Sequence, residues 1–526
     1  MKHHRTITTL LVFILNILCF SQFAGGSGTV EDPYLIETAE QLNQVRYYMT
    51  SSFKQITDVD LGVPPWNEGP GWQPIGEYDW SDPSQSFRGN YDGGGYKILN
   101  MYVNLNDGSW MGLFGSTEGC ELCNISILNF IIESEIGGIG GLTGISYNDN
   151  WSNINAEGSI KGYSQMGLLA GFFEGYNIKD CHAKGEITST GSGYNGGLVG
   201  ICNADSIINC SAEVKISGYR YCTGGLIGLC NNSEVIDNCY VIAIITVIDG
   251  YNYGGFIGNT SAVNRDQFIS NCYSVGSVIT DSLHYGNRSG GFIGSSDAFS
   301  PYFVNVTDCY SRADAAASDM TGGFFGRACN LTNIKNCYST GNIKGNTNAG
   351  GFVGYIIEPE TVTVTNCYWD TETSGVDSSA AGESRTTAEM TLPYGDDTYV
   401  GWDFDFVWAD DIYNLNAGYP RLEWACGIEE NDDDFVAGVK GFELYQNYPN
   451  PFNPVTQIKF DLAKSSEVKL SVYNISGQLV SELTKGIMKA GKYSVEFDGK
   501  NLNSGVYYYV LSADKKMQSR QMLLLK

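Results

Sequence analysis

The sequence predicts an all-β protein: a right-handed parallel β-solenoid (β-helix) of coils about 30 residues long, followed by a small C-terminal Ig-like β-sandwich. Three observations predict it. A Gly-Leu or Gly-Phe pair recurs nine times, at intervals of 26 to 36 residues. A second motif (Ile or Val, any residue, Asn or Asp, then Cys) runs in the same register. The last 85 residues abandon both motifs for short alternating segments separated by turn residues.

Composition agrees and sets limits. The 526 residues include 65 Gly, only 17% are charged, and the formal net charge is −27. Short strands joined by turns are favoured over long charged helices. So acidic a chain is a poor match for nucleic acid, which needs clustered Lys and Arg.

Residues 1–21 have the order of a secretory signal peptide: Lys2 and Arg5, an apolar run from Leu10 to Phe20, and small residues Cys19 and Ser21 before Gln22. That run is too short to span a bilayer comfortably, and none later reaches the ~20 residues required. Cleavage there leaves His182 and His284 as the mature chain's histidines. Residues 22–110 are an N-terminal cap and first coils, with one short helix where Thr38 and Gln41 form a capping box ahead of Leu42 and Val45.

Residues 111–369 are the solenoid, from Gly112-Leu113 to Gly351-Phe352. The Cys slot holds Cys181, Cys210, Cys239, Cys272, Cys309, Cys337 and Cys367, with Ile154 and Ile125 one and two coils earlier. Cys210, Ala212, Val214 and Ile216 alternate with Asn209, Ser211, Glu213 and Lys215, which marks a strand buried on one face. Each coil is expected to hold two or three short strands. The Asn or Asp before each Cys suits a left-handed bend, and the crossover rule sets the right-handed coil. Residues 370–426 close the open end of the solenoid, whose bare edge would otherwise template aggregation. Residues 427–441, with five acids from Glu429 to Asp434, read as an acidic linker, and 442–526 as the sandwich.

Fifteen cysteines in an exported chain invite a disulfide framework. The repeat points elsewhere: Ile fills the same slot, and stacked Cβ atoms ~4.8 Å apart exceed the ~3.5–4.5 Å a disulfide prefers. A reduced core ladder is expected, with Cys202 and Cys230 as a second partial ladder and Cys120 and Cys123 as packing residues. One residue past the slot stand Tyr240, Tyr273, Tyr310, Tyr338 and Tyr368, on the face opposite the cysteines. They are expected outside, either as a ladder that stabilises the sheet or as an aromatic strip on which sugar rings stack.

Catalytic motifs are absent: no H-E-x-x-H, nucleophile elbow or Walker loop stands out. Asp403, Asp405, Asp410 and Asp411 cluster in the closing segment, where a structural or solvated role is expected. No metal site and no cofactor are expected. Calcium is the one ion so acidic a rod could take, though no complete calcium loop is present.

Two resemblances add to this reading. Gly196–Gly200 (G-G-L-V-G), Gly224–Gly228 (G-G-L-I-G) and Gly350–Gly354 (G-G-F-V-G) resemble the GLUG motif of bacterial surface proteins. Met166–Ala170 departs from it by ending in Ala. The metalloprotease activity attached to some GLUG proteins does not carry over, because the zinc motif is missing. Leu444 to Pro454 resembles the opening of the type A sorting domain of the type IX secretion system, through Asn447, Pro449, Asn450, Pro451, Phe452, Asn453 and Pro454. Val472–Gly477, Gly491-Lys-Tyr493 and Gly505–Tyr508 extend that likeness, with Gly477 and Gly491 at its turns. The resemblances imply an exported protein at the cell surface or released, which passes the periplasm and meets the type IX machinery through its C-terminal domain. The expected work is adhesion or ligand binding to an extracellular glycan or protein through an extended face. A polysaccharide-degrading β-helix enzyme and a passive envelope component are the alternatives.

Overall fold

The computed structural model describes residues 22–425 and 443–526, apart from 80, 107–109, 136–137, 192, 220, 281–286, 413, 448, 463–465, 475–477, 489–490 and 514–515. The expected signal peptide and acidic linker lie outside the described residues. The chain forms two compact units divided between Arg385 and Thr386, a boundary within the 370–426 closing segment.

In the first unit, residues 91–369 form a parallel β-solenoid of about nine turns. One coil shows the plan. Strands Ile227–Asn231, Val235–Asp237, Tyr240–Ile248 and Asn252–Gly254 each pair in parallel with the strand one coil on: Ile257–Ala262, Gln267–Ser270, Tyr273–Thr280 and Arg288–Gly290. That is one strand per coil more than expected. The extra strand carries the first glycine of the pair, and its copies stack into a separate eight-stranded sheet from Ile139–Gly140 to Ala349–Gly350. Backbones crowd there: a Cβ on Gly196 would strike the Val199 carbonyl oxygen.

The bend ahead of the Cys slot is the expected left-handed one. Asn124, Asn153, Asp180, Asn209, Asn238, Asn271, Asp308, Asn336 and Asn366 all have φ between 51° and 55°. Asn and Asp tolerate that conformation at the least cost after Gly. Their side chains also tie the coils together: the Asn153 Nδ2 donates to Asn124 Oδ1 at 2.8 Å, Asn209 to Asp180 at 3.1 Å and Asn336 to Asp308 at 3.1 Å.

The core runs along the stack. Leu142, Leu198 and Leu226 follow the second glycine and are wholly buried, as are Leu113 and, in later coils, Phe256, Phe292, Phe324 and Phe352. Gly167 pairs with Gly140 and Gly196, so Leu168 takes the place of the second glycine and buried Leu169 that of the leucine, one residue later than the repeat predicts. The four phenylalanines stack nearly parallel with centroids 4.6, 4.7 and 4.9 Å apart. At the N-terminal end the helix Ala39–Gln44 forms where expected, and Thr38 Oγ1 accepts from the Gln41 amide at 3.2 Å. The Gln41 side chain reaches back one residue further than a capping box, accepting from the Glu37 amide at 2.7 Å.

The second unit contains a seven-stranded sandwich. Strands Glu443–Leu444, Val455–Leu462 and Gly491–Asp498 form one antiparallel sheet, and Leu479–Met488, Ser466–Asn474, Gly505–Ala513 and Lys516–Leu524 the other. Ile458, Phe460, Leu470, Val472, Tyr509 and Leu511 fill its core.

Candidate functional surface

The Cys slot is interior. Ile125 and Ile154 are in register with Cys181, and Cys181, Cys210, Cys239, Cys272, Cys309, Cys337 and Cys367 are buried beyond them. None of the thirteen described cysteines is in a disulfide. Burial pushes the thiols of Cys181, Cys239, Cys309 and Cys367 well up. Thiol contacts would favour charge on the alternate members Cys210, Cys272 and Cys337, but burial opposes it there too. Each of those three thiols also donates to the carbonyl two residues earlier, at 3.3, 2.9 and 3.1 Å, so the ladder is neutral packing. Cys202 and Cys230 pair in register as a shorter ladder, also buried. Cys120 is buried with its thiol 3.0 Å from the Phe87 carbonyl, and half-buried Cys123 accepts from the Asn124 side-chain Nδ2 at 3.5 Å.

The row Tyr240, Tyr273, Tyr310, Tyr338 and Tyr368 does form, one ring per coil. It is not an exposed strip: the five are between 0% and 9% exposed. The rings of Tyr240, Tyr273, Tyr310 and Tyr338 lie flat on one another, with centroids 5.3, 4.8 and 5.1 Å apart and planes within 12°. The faces between them are thus covered, and the Arg385 guanidinium lies 5.0 Å from the Tyr368 ring. No sugar can stack on faces already stacked.

A different row is exposed. Tyr163, Tyr221 and Tyr251 are 47%, 48% and 47% exposed, and Tyr194 is half-buried among them. The strand registers place Tyr221 beside Gly193, next to Tyr194, and Cys222 beside Asn252, next to Tyr251, so these three stand on successive coils at the start of the short sheet, offset by one residue at Tyr194. Neighbouring rings meet edge to face, Tyr194 to Tyr221 at 6.0 Å and Tyr221 to Tyr251 at 5.8 Å. The Tyr163 ring lies over Gly191, where any Cβ would strike it. Tyr221 has φ 82°, a left-handed backbone that a bulky residue adopts only under strain. A sequence signal existed for two of them: Tyr221 and Tyr251 each stand three residues before Gly224 and Gly254, which pair across coils.

The acids of the closing segment serve its turns. Asp403 Oδ1 accepts from the Asp405 and Phe406 amides at 3.0 Å each. Buried Asp411 accepts from the Leu415, Asn416 and Gly418 amides at 2.8 Å each, with Arg421 Nε 3.9 Å away. Among the described residues no group of three or more His, Cys, Asp and Glu is placed to hold a metal ion. One acid inside the solenoid is unusual: Asp149 is wholly buried and accepts from Thr117 Oγ1 at 2.5 Å, Ser146 Oγ at 2.6 Å and the Cys120 amide at 2.7 Å. Burial raises its carboxyl to about 6 against those hydrogen bonds.

In the sandwich the Asn-Pro segment is a packed strap. Buried Asn447 donates through Nδ2 to the Pro449 carbonyl and to Thr456 Oγ1, both at 3.0 Å, and its own amide donates to the Tyr509 hydroxyl at 2.8 Å. Asn450 Oδ1 accepts from the Leu523 amide at 2.9 Å. Phe452 is buried beside Leu524, while Pro451 and Asn453 are exposed around it. The Pro454 carbonyl accepts from the Gly499 amide at 2.8 Å. Gly491 pairs with Leu462 across the first sheet, and Gly477 lies outside the described residues.

Comparison with known proteins fits this division. Residues 446–525 match the family of secretion system C-terminal sorting domains. Such a tail implies an interaction with the type IX machinery and export to the cell surface or the extracellular space. A Gly-rich membrane protein of Evansella cellulosilytica is 29% identical over 492 residues, 83% of this chain and 51% of that protein. The halomucin of Haloquadratum walsbyi is 28% identical over 156 residues, 28% of this chain and 2% of its own length. The chain therefore spans about half of the first relative and a small part of the second. An IgA1 protease structure covers 66% of this chain and 23% of its own at 15% identity, and its TM-score of 0.35 carries no argument. No described helix is long and apolar enough to cross a membrane. The chain is thus an exported β-solenoid protein with a type IX sorting tail.

Proposed function

We propose that this protein works outside the cell as an adhesin-like binding module, holding a glycan or protein along an extended face of the solenoid. One observation carries the reading: a sorting tail at residues 446–525 sits in the same chain as about nine stacked coils. A stack of that kind offers one side chain at each step of a long surface, which suits extended ligands better than compact ones. The GLUG-like corners are consistent with it, because proteins with that motif work at bacterial surfaces. Residues 1–21 supply the signal peptide for the first membrane, and the C-terminal domain addresses the second. The turn-forming acids of the closing segment do not favour the degrading-enzyme alternative.

Two measurements test this. Deleting residues 442–526 is expected to trap the protein in the periplasm, and unchanged export removes the export reading. Full-length protein presented to surfaces coated with glycans or extracellular proteins is expected to be retained without altering them. Failure to be retained on any surface, or release of reducing ends from a polysaccharide, defeats the binding reading.

A further inference from the structure

The exposed tyrosines specify that binding face further. We propose that Tyr163, Tyr194, Tyr221 and Tyr251 form a stacking strip for an extended, uncharged polysaccharide chain lying along the solenoid, an inference that rests on the binding reading above.

Spacing is the first argument. The strip advances one ring per coil, and a hexopyranose unit of an extended chain is about as long as the ~4.8 Å between stacked strands. A protein partner has no reason to match that period over three consecutive steps, whereas a polymer of one repeating unit does. Ring chemistry is the second. The edge-to-face contacts of Tyr194, Tyr221 and Tyr251 leave ring faces open, unlike the parallel stack of Tyr273 and Tyr310. The apolar C–H face of a sugar packs on such a ring, while tyrosine hydroxyls bond its rim.

Position supplies the third. Arg288 donates its main-chain amide to the Tyr251 carbonyl at 2.6 Å, and its side chain bonds Asn252 Oδ1 at 3.0 Å. Its Nε is buried and has no partner. Through those bonds Arg288 anchors the Tyr251 end of the row to the next coil. Charge chooses among polysaccharides: with a net charge of −27, the chain repels uronates and sulfated polymers in general. Strain is the fourth argument. Nothing in the fold requires a tyrosine at φ 82°, and such outliers persist where a side chain must be held in place.

The test is affinity electrophoresis of the full-length protein through native gels cast with neutral polysaccharides (β-glucan, xylan, mannan, hydroxyethylcellulose), with alginate as the charged control. At least one neutral polymer is expected to retard the wild type, and alginate is not. The triple variant Y163A/Y221A/Y251A should lose retardation, with each single change weakening binding on the order of three- to tenfold. Y163F/Y221F/Y251F should keep most of it, and both triples should keep the wild-type thermal midpoint and circular dichroism, which separates lost stacking from lost folding. Retardation that survives the alanine triple places the site elsewhere. Retention on coated surfaces without retardation by any neutral polymer overturns this ligand class and leaves the binding reading standing. Retardation by alginate alone does the same. A wild-type oligomer that the alanine triple dissociates makes the strip a self-association surface and ends the proposal.

Discussion

Two rows of tyrosines climb the same solenoid, and they differ in everything but residue type. Tyr240 to Tyr338 lie flat on each other, and they and Tyr368 are almost wholly buried, whereas Tyr163, Tyr221 and Tyr251 meet edge to face or stand alone and are nearly half exposed. The buried row follows the left-handed bend directly, where the Asn–Cys–Tyr order fixes each ring at the start of a long strand. The exposed row sits at the entrance to the short glycine strand, where coils vary in length and one backbone is strained. A ladder is therefore no evidence of a binding strip. Stacking along a solenoid comes free with the repeat, and only an uncovered ring face offers anything to a ligand.

The largest effect should separate the rows outright. Tyr310→Ala empties a place between two stacked rings, and the loss is expected to be about 3–5 kcal/mol, the cost of deleting a buried aromatic. Tyr251→Ala should stay within about 0.5 kcal/mol, the usual range for a surface change. Urea unfolding followed by circular dichroism checks both. Equal losses would mean that the exposed row is structural after all.

Burial also makes the core answer to pH. The Asp149 carboxyl stands at about 6 in the folded chain against an ordinary 3.8. A raised acid stabilises the fold fully below about pH 4, and that contribution is lost as pH climbs through 6. The loss amounts to about 3 kcal/mol by pH 7. Asp149→Asn should flatten the fall in urea midpoint between pH 4 and pH 7. A variant that keeps the wild-type slope would assign the pH dependence to other groups.

Much of this was legible before any coordinates. The period, the interior slot shared by Ile125, Ile154 and the cysteines, and the left-handed bend recur in coil after coil, so each is sampled many times over under the same sterics. The row itself was legible as well: Tyr273 pairs in register with Tyr240 and Tyr310. Coverage was not, because alternation along a strand says which face a side chain takes and nothing about what lies on that face. The fourth strand was hidden for another reason. Segments such as Asn252–Gly254 have poor intrinsic strand propensity and exist through stacking on their neighbours. The exposed row lies beside the glycine strand, where the period-two pattern that runs from the cysteine does not reach. In the sandwich, the Asn447–Pro454 strap was recognisable only by likeness. That Asn447 reaches Tyr509 across 62 residues is a fact of the fold, invisible to local pattern.

A smaller effect tests the bend that positions the buried row. Asn336→Ala keeps size near enough but must hold φ 52° without the side-chain bond to Asp308. The expected cost is about 1–2 kcal/mol, and Asn336→Gly should recover part of it by relieving the backbone. An alanine variant as stable as the wild type would show that the stack above and below holds the bend without help from the residue in it.

The smallest effect is the most discriminating, because its sign differs from the rest. Tyr221 occupies φ 82° with a side chain nearly half in solvent. Asparagine accepts that backbone more readily, so Tyr221→Asn should leave stability unchanged or raise it by up to about 1 kcal/mol. The same replacement at Tyr273, buried between Tyr240 and Tyr310, should be strongly destabilising. A residue whose removal relieves the fold is there for something the fold itself does not need. If Tyr221→Asn instead lowers the thermal midpoint as Tyr273→Asn does, the strain is repaid by packing against Tyr194 and Tyr251, and the distinction between a structural row and a working row collapses.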